Sequence, residues 1–207
     1  KKHPGHVRAH LAYADHLEEH GDDEEVLEQL GIALKLDPKN PAGWNNYAHH
    51  FSHVGPITNA FHAYEQALAL RPFEPVYHYN YGTVIFLYRK DAKEYFRCDE
   101  NAVFEKALAE YRECRRLAPR NFRFAFDYAQ TFYGVKPEPA ATPDGWKQSE
   151  IRLGERAIQA WREALAGGQA EPSPAVWGSL EHQLIAAEKQ AMRGAIVWYR
   201  WATDRKS

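Results

Sequence analysis

The alternation of small and large apolar residues predicts that this chain folds as paired helices. Small side chains such as Ala14, Ala48 and Ala60 suit the points where two helices cross, and the large side chains of Trp44 and Tyr64 suit the gaps between crossings. A proline follows the second helix of each of the first three pairs, because proline cannot continue a helix. The predicted pairs are 5–20 with 23–36, 41–53 with 57–70, 75–89 with 102–117, and 121–134 with 148–166.

The pattern also repeats along the chain. Tyr13, Tyr47 and Tyr81 lie 34 residues apart. Prolines recur with the same period, at Pro4, Pro38 and Pro72. Two residue types in phase at one period indicate an internal repeat. A tandem helical array forms an extended scaffold rather than a closed catalytic pocket, so the period already favours a binding function.

The second unit carries a family resemblance. Its residues resemble the tetratricopeptide repeat, a helix–turn–helix unit of about 34 residues. The matching positions are Trp44, Tyr47, Ala48, Phe51, Gly55, Ala60, Tyr64, Ala67 and Pro72. Three further units match less completely, with His or Ala in place of Trp. The resemblance spans residues 4–166 and implies an all-α, right-handed α-solenoid of antiparallel helix pairs, with about four repeats and a C-terminal capping segment.

We predict one domain over residues 1–207. Its repeats are 7–40, 41–74, 75–121 and 122–168, and its capping helices are 174–205. Insertions at 89–101 and 135–147 lengthen the third and fourth repeats. The first insertion either extends the preceding helix or forms an ordered loop, and the proline-rich second one is predicted to be a loop. The two insertions emerge at one edge of the array, as tolerated loops or as a joint accessory surface.

Composition and charge narrow the partner classes. The chain is 44% hydrophobic and 26% charged, which is typical of a soluble globular protein. Its formal net charge of −2 gives no electrostatic reason to expect a nucleic acid or an anionic membrane surface. No apolar run approaches the roughly 18 residues of a membrane span. Cys98 and Cys114 are too few for a disulfide framework. Compartment, whether cytoplasmic or exported after processing, and oligomeric state stay open.

Enzyme signatures are missing from the sequence. It contains no glycine-rich phosphate loop, no G-x-S-x-G and no C-x-x-C pair. Residues 16–20, HLEEH, match the H-x-x-E-H pattern of inverted zinc metalloproteases. They fall at the predicted end of the first helix, directly before the turn at Gly21, and no downstream ligand segment accompanies them. We therefore predict no catalytic residue and no cofactor.

The resemblance implies a binding groove. In this family the first helix of each pair lines the concave face, where ligands are usually held. The positions transferred to this chain are Leu11, Asp15, Asn45, His49, His53, Tyr79, Thr83, Phe86, Arg123, Phe126, Gln130 and Tyr133. Aromatic side chains with a few polar groups suit a peptide, although some of these rings could instead pack internally. The implied function is a non-catalytic protein–protein interaction scaffold. The alternative is a regulatory or substrate-recruiting segment of a larger, transferase-type enzyme.

Two narrower functions can be weighed against the residues. His49 and His53 lie one helical turn apart, and stacking would bring Asp15 beside His49, so a metal site is a minor hypothesis against a hydrated polar patch. Family members that clamp the C-terminal carboxylate of chaperones use Lys, Asn and Arg on three successive repeats. The matching positions here are Leu11, Asp15, Asn46, Val76 and Asn80. Only the second-repeat Asn agrees, so we predict that this clamp is absent.

Overall fold

The described part of the chain consists of helices that follow one another, most of them after short connections. The computed structural model describes residues 4–20, 23–132, 134–135, 137 and 140–167. Within these ranges all regular secondary structure is α-helical, as predicted. The helices are α1 (Pro4–Glu18), α2 (Asp23–Leu36), α3 (Pro41–Val54), α4 (Ile57–Leu70), α5 (Pro75–Leu87), α6 (Arg89–Phe96), α7 (Glu100–Leu117), α8 (Phe122–Thr131) and α9 (Pro143–Gly167). No described helix combines the length and the hydropathy needed to cross a membrane.

Side-chain caps explain where several helices begin. Asn40 accepts a hydrogen bond from the Gly43 amide at 2.9 Å and is followed by proline, so α3 begins at Pro41. Asp99 caps α7 in the same way, accepting from the Ala102 amide at 2.8 Å. Gly55, with φ of 73°, ends α3 in a conformation that favours glycine.

The described helices belong to two compact units. Lys1–Leu117 holds α1 to α7, and Ala118–Ser207 holds α8 and α9. In the first unit α1 pairs with α2, α3 with α4, and α5 with α7, while α2 packs on α3 and α4 on α5. In the second unit α8 packs on α9, with Trp161 fully buried. A single domain over the whole chain stays a prediction, and the capping helices predicted at 174–205 lie outside the described residues.

Small residues allow the paired helices to cross closely. Ala14 and Ala48 are buried on α1 and α3, and Gly82 takes the equivalent position on α5. A Cβ atom at Gly82 would lie 3.1 Å from the Cβ of Glu110 and 3.2 Å from the carbonyl oxygen of Ala107 on α7. The crossing of α5 and α7 therefore requires the smallest residue.

The third repeat has a histidine, His78, at the position that Trp44 takes in the second repeat. The histidine makes the equivalent hydrogen bond. Trp44 donates from Nε1 to the carbonyl oxygen of Pro38 at 2.9 Å. His78, one period later, donates from Nε2 to the carbonyl oxygen of Pro72 at 2.8 Å, and its Nδ1 lies 2.7 Å from Glu110 Oε2 on α7. A carbonyl and an ionised carboxylate both accept, so both ring nitrogens of His78 donate. The substitution thus adds a charged tie between α5 and α7.

The first insertion forms neither an extension of α5 nor a loop. It folds as the separate helix α6, and the chain reverses after it at Arg97 with φ of 53°. Ala92 is fully buried, and the rings of Tyr95 and Phe96 lie 5.1 and 5.7 Å from the ring of Phe61 on α4. This insertion is a packed part of the first unit.

The same helix is tied to α4 through a carboxylate. Glu65 accepts hydrogen bonds from the hydroxyls of Tyr81 and Tyr95, each at 2.9 Å. Burial and the bond to Glu65 raise the pKa of Tyr95 to about 12, which keeps its hydroxyl a donor. Glu65 therefore joins α4 to both α5 and α6.

The second insertion is only partly a loop. Its described residues before 143 are non-helical, as predicted, but α9 begins at Pro143 and takes in the rest. Thr142 Oγ1 accepts from the Gly145 amide at 3.1 Å, and proline follows it at the first helical position. A cap of this kind starts the helix inside the segment predicted to be a loop.

We predict opposite effects of one substitution at two helical glycines. Gly31→Ala should raise the free energy of unfolding by about 1 kcal/mol, because nothing lies within 4 Å of the new Cβ and alanine favours a helix. Gly82→Ala should lower it by about 1 kcal/mol, because overpacking costs about 1–3 kcal/mol and outweighs that gain. Urea unfolding of both variants tests the pair. Equal stabilisation by the two substitutions would contradict the close crossing of α5 and α7.

The ion pair between His78 and Glu110 predicts that the free energy of unfolding depends on pH. Burial lowers the pKa of His78, but the bonds to Glu110 and Pro72 and the nearby carboxylates outweigh it, so the net pKa is raised above 6.5. A raised folded pKa contributes stability that is full below about pH 6.5 and is lost as the pH rises through the folded value. In the wild type, the free energy of unfolding should therefore decrease as the pH rises through the folded pKa of His78. It should decrease less in His78→Gln.

Urea unfolding at a series of pH values measures this difference. Glu110→Gln is the matched variant, because it leaves the imidazole in place and removes its charged partner. It should show the same reduced slope as His78→Gln. If both variants kept the wild-type slope, the His78–Glu110 ion pair would be excluded as the source of the pH dependence.

Candidate functional site

The first helices of three successive repeats, α1, α3 and α5, share a hydrogen-bonded row of side chains. Asn46 Nδ2 donates to Asp15 Oδ1 at 3.2 Å, joining α3 to α1. Asn45 Nδ2 donates to Asn46 Oδ1 at 3.3 Å, and Asn80 Nδ2 on α5 donates to Asn45 Oδ1 at 3.1 Å. We call these four residues the amide ladder. It runs across the side on which α1, α3 and α5 meet, which we call the first-helix face.

Asp15 and Asn45 were predicted groove residues, and Asn46 and Asn80 were not. The signal was present in the sequence, because residues 46 and 80 are separated by one full period of 34. Burial, and then the like charge of Glu18, raise the pKa of Asp15 above its ordinary value. The N–H of Asn46 offsets part of this cost by donating to the ionised carboxylate.

The histidine cluster of α3 divides between the surface and the core. His50 is 2% exposed, with Nδ1 3.1 Å from Glu18 Oε1 and Nε2 3.1 Å from the carbonyl oxygen of Asp23. It therefore joins α3 to both α1 and α2, and its role is structural. His49 and His53 are exposed, and their Nε2 atoms lie 3.4 Å apart.

The three-ligand metal arrangement considered from the sequence is not formed. In the described part of the chain, no group of three or more His, Cys, Asp or Glu side chains is placed to hold a metal ion. The described partner of Asp15 is Asn46 rather than a metal-directed histidine. Partial desolvation, the neighbouring His53 and His50 lower the pKa of His49, against the opposing charge of Glu18. His49 and His53 thus stand as a pair.

The predicted aromatic residues of α5 are partly used in packing. The ring of Tyr79 lies 6.0 Å from that of Tyr111, and Phe86 lies 5.9 Å from Phe104, both on α7. Thr83 Oγ1 donates to the carbonyl oxygen of Tyr79 at 2.8 Å and lies 2.8 Å from the hydroxyl of Tyr111. These side chains support the helix as much as they form its surface.

The exposed apolar side chains of α5 belong to residues other than the predicted aromatic ones. Val76 is 43% exposed and Leu87 is 60% exposed. By helical geometry both share a face of α5 with Asn80 and Thr83. At the other end of the first unit, Leu11 is half-buried and packs against the core of the first repeat. Two exposed aliphatic side chains thus flank the end of the ladder.

Four of the predicted site residues belong to the second unit. Arg123 Nε lies 3.7 Å from Asp127 Oδ2 within α8. Phe126 is half-buried, with its ring edge-on to Trp161 at 5.5 Å. Gln130 is exposed, and Tyr133 lies outside the described residues. Phe126 is therefore mainly a packing residue of its own helix pair.

The protease-like segment ends a helix. α1 ends at Glu18, and His20 Nδ1 lies 2.8 Å from the carbonyl oxygen of His16 in the turn that follows. One of the two histidines is thus beyond the helix, in line with the sequence-based interpretation of this segment as a helix terminus.

Comparison with known proteins agrees with the repeat pattern. A family model of the tetratricopeptide repeat matches residues 7–50. The tetratricopeptide-repeat pattern is thus shown for residues 7–50. No curated protein sequence matches it significantly.

Solved structures show the same fold at low identity. A MamA fragment from Desulfovibrio magneticus RS-1 is 16% identical, with 100% of each chain covered and a TM-score of 0.59. The first tetratricopeptide-repeat domain of Spaghetti (RPAP3), solved with a bound HSP90 peptide, is 17% identical to this chain. The match covers 64% of this chain and 94% of the RPAP3 domain, with a TM-score of 0.54. An O-GlcNAc transferase mutant from Thermobaculum terrenum is 18% identical over 73% of this chain, with a TM-score of 0.53. This chain spans 26% of that transferase. The predicted all-α solenoid class is confirmed.

Proposed function

We propose that the first unit is a non-catalytic scaffold that binds an extended segment of a protein partner along the first-helix face. Tetratricopeptide repeats typically serve as protein-interaction scaffolds. The observation that carries the proposal is the amide ladder, which crosses three successive helices in one direction. A linear row of amides suits a linear ligand.

The chemistry of the ladder suits a peptide main chain. An asparagine amide carries two N–H groups and an oxygen with two lone pairs, so Asn45, Asn46 and Asn80 keep hydrogen-bonding capacity beyond the bonds within the ladder. A peptide backbone offers the complementary N–H and C=O groups whatever its side chains. The hydrogen bonds between the amides hold them in place before the partner arrives, which reduces the entropy cost of binding.

The flanking residues suggest the character of the bound segment. Val76, one turn before Asn80, and Leu87, two turns after it, offer exposed aliphatic contacts on the same side of α5. The peptide-bound RPAP3 domain holds an HSP90 peptide. Val76 and Asn80 occupy the positions where the chaperone clamp needs cations, so we expect a partner other than an acidic C-terminal peptide.

Peptide selection tests this proposal. A display library of random peptides is selected on the chain, and the affinity of the selected peptides is measured by fluorescence polarisation. Asn45→Ala combined with Asn80→Ala should weaken binding by about tenfold, because each lost hydrogen bond contributes about 0.5–1.5 kcal/mol. Asn59→Ala is the matched control, an exposed asparagine on α4 away from the ladder. Selection of no peptide, or equal weakening by the control, would overturn the proposal.

The second candidate is a substrate-recruiting segment of a larger transferase. The observation that favours it is the likeness to about a quarter of an O-GlcNAc transferase chain, 26% by length. In that arrangement the amide ladder would hold the protein substrate. Substitution of Asn45 and Asn80 in the full-length gene product should then lower modification of protein substrates and leave small acceptors unaffected. An equal loss on both would exclude recruitment.

A further inference from the structure

The two exposed histidines of α3 face each other at an unusual separation. Their Nε2 atoms lie 3.4 Å apart, and their ring centroids lie 4.7 Å apart with the planes at 66°. Hydrogen bonds from a ring N–H normally span about 2.7–3.2 Å, so this distance is long for a direct bond. Two nitrogens bound to one tetrahedral Zn²⁺ at about 2.0–2.1 Å lie roughly 3.3–3.4 Å apart. The pair therefore matches the spacing that a shared zinc ion requires.

We propose that His49 and His53 form a two-histidine site for a divalent transition metal, Zn²⁺ in the first place, with water completing its coordination. Neutral imidazole nitrogens suit Zn²⁺ and its transition-metal neighbours. Hard ions such as Mg²⁺ and Ca²⁺ prefer oxygen ligands and gain little from two imidazoles.

The helix itself holds the two rings in register. Residues four apart on a helix are neighbours on one side, so His49 and His53 project together without help from a loop. His53 lies in the last turn of α3, where the exposed carbonyl ends give the helix terminus a negative character that favours a cation. Ser52 Oγ donates to the carbonyl oxygen of His49 at 2.6 Å and consolidates this turn. The two ring nitrogens therefore already lie at the required separation.

The surrounding charge also favours a cation. Glu18 on α1 is near enough to act electrostatically on His49, and its effect is larger than the opposing effect of the neighbouring His50, which Glu18 also contacts. His49 follows Asn45 by one turn on the same side of α3. The open coordination positions of the ion therefore lie beside the amide ladder. Zinc binding requires no peptide, so the metal site can be tested independently of the proposed function.

A second histidine pair provides a matched control. His16 and His20 have the same spacing at the end of α1, with ring centroids 4.4 Å apart. His20 lies beyond the end of the helix, and its Nδ1 contacts the carbonyl oxygen of His16 at 2.8 Å. This pair has the same composition and sequence spacing but a different local geometry, so it reports the background binding of surface histidines.

Calorimetric titration of the metal-free full chain with zinc chloride tests the site. The wild type and the His16→Gln, His20→Gln control should both show a binding event that the His49→Gln, His53→Gln variant lacks. Each single variant, His49→Gln or His53→Gln, should weaken that event by at least about tenfold, since even the outer neighbours of metal ligands contribute 10–100-fold. Circular dichroism should show the same helicity in every variant, so a lost event reflects lost ligands.

X-ray absorption of the zinc complex gives an independent result. Two nitrogen neighbours at about 2.0–2.1 Å with oxygen completing the shell are expected, and the nitrogen signal should be lost in the double variant. No binding by the wild type, an unchanged isotherm in the double variant, or an equal loss in the His16 and His20 control would overturn the proposal. The last outcome would show only adventitious binding by surface histidines.

Discussion

The close crossing of paired helices is the constraint on which the rest of the first unit depends. At the α5–α7 crossing, Gly82 leaves about 3.1–3.2 Å between its absent Cβ and atoms of Glu110 and Ala107. The side chains around that crossing make the contacts that define the pair. Glu110 reaches His78 at 2.7 Å, and Tyr111 reaches Thr83 at 2.8 Å. A wider crossing would lengthen both contacts, because one short approach sets them together.

The crossing also determines what the opposite side of α5 presents. Once Gly82 faces α7, helical periodicity directs Asn80 away from that contact and towards α3. Asn80 then reaches Asn45 at 3.1 Å, and the ladder continues through Asn46 to Asp15. A structural requirement on one side of a helix thus positions a polar row on another. The arrangement of the first-helix face is thus a consequence of the helix packing.

Local patterns predicted most of the helices, and contacts distant in sequence account for what the patterns missed. Small residues and prolines are read within one repeat, so the paired helices were predictable from residues such as Ala48 and Pro72. The helix α6 was not, because its segment is strongly charged and its packing depends on Phe61, about a repeat earlier. His49 and His50 are adjacent and chemically alike, and the partners that distinguish the buried His50, Glu18 on α1 and the carbonyl oxygen of Asp23 on α2, lie far away in the sequence. Asn46 and Asn80 could have been found, since they keep the period.

The interruption of the repeat supports the regular part of the unit. The chain leaves α5 at Leu87, forms α6, and returns to α7, so an unanchored insertion would leave α5 free to shift. Glu65 prevents this by accepting from Tyr81 on α5 and Tyr95 on α6, each at 2.9 Å. Charge-assisted bonds to one carboxylate are stronger than neutral ones and hold both helices to α4. Because α5 carries Asn80, this anchoring reaches the ladder. The departure from the period therefore stabilises the face that the period creates.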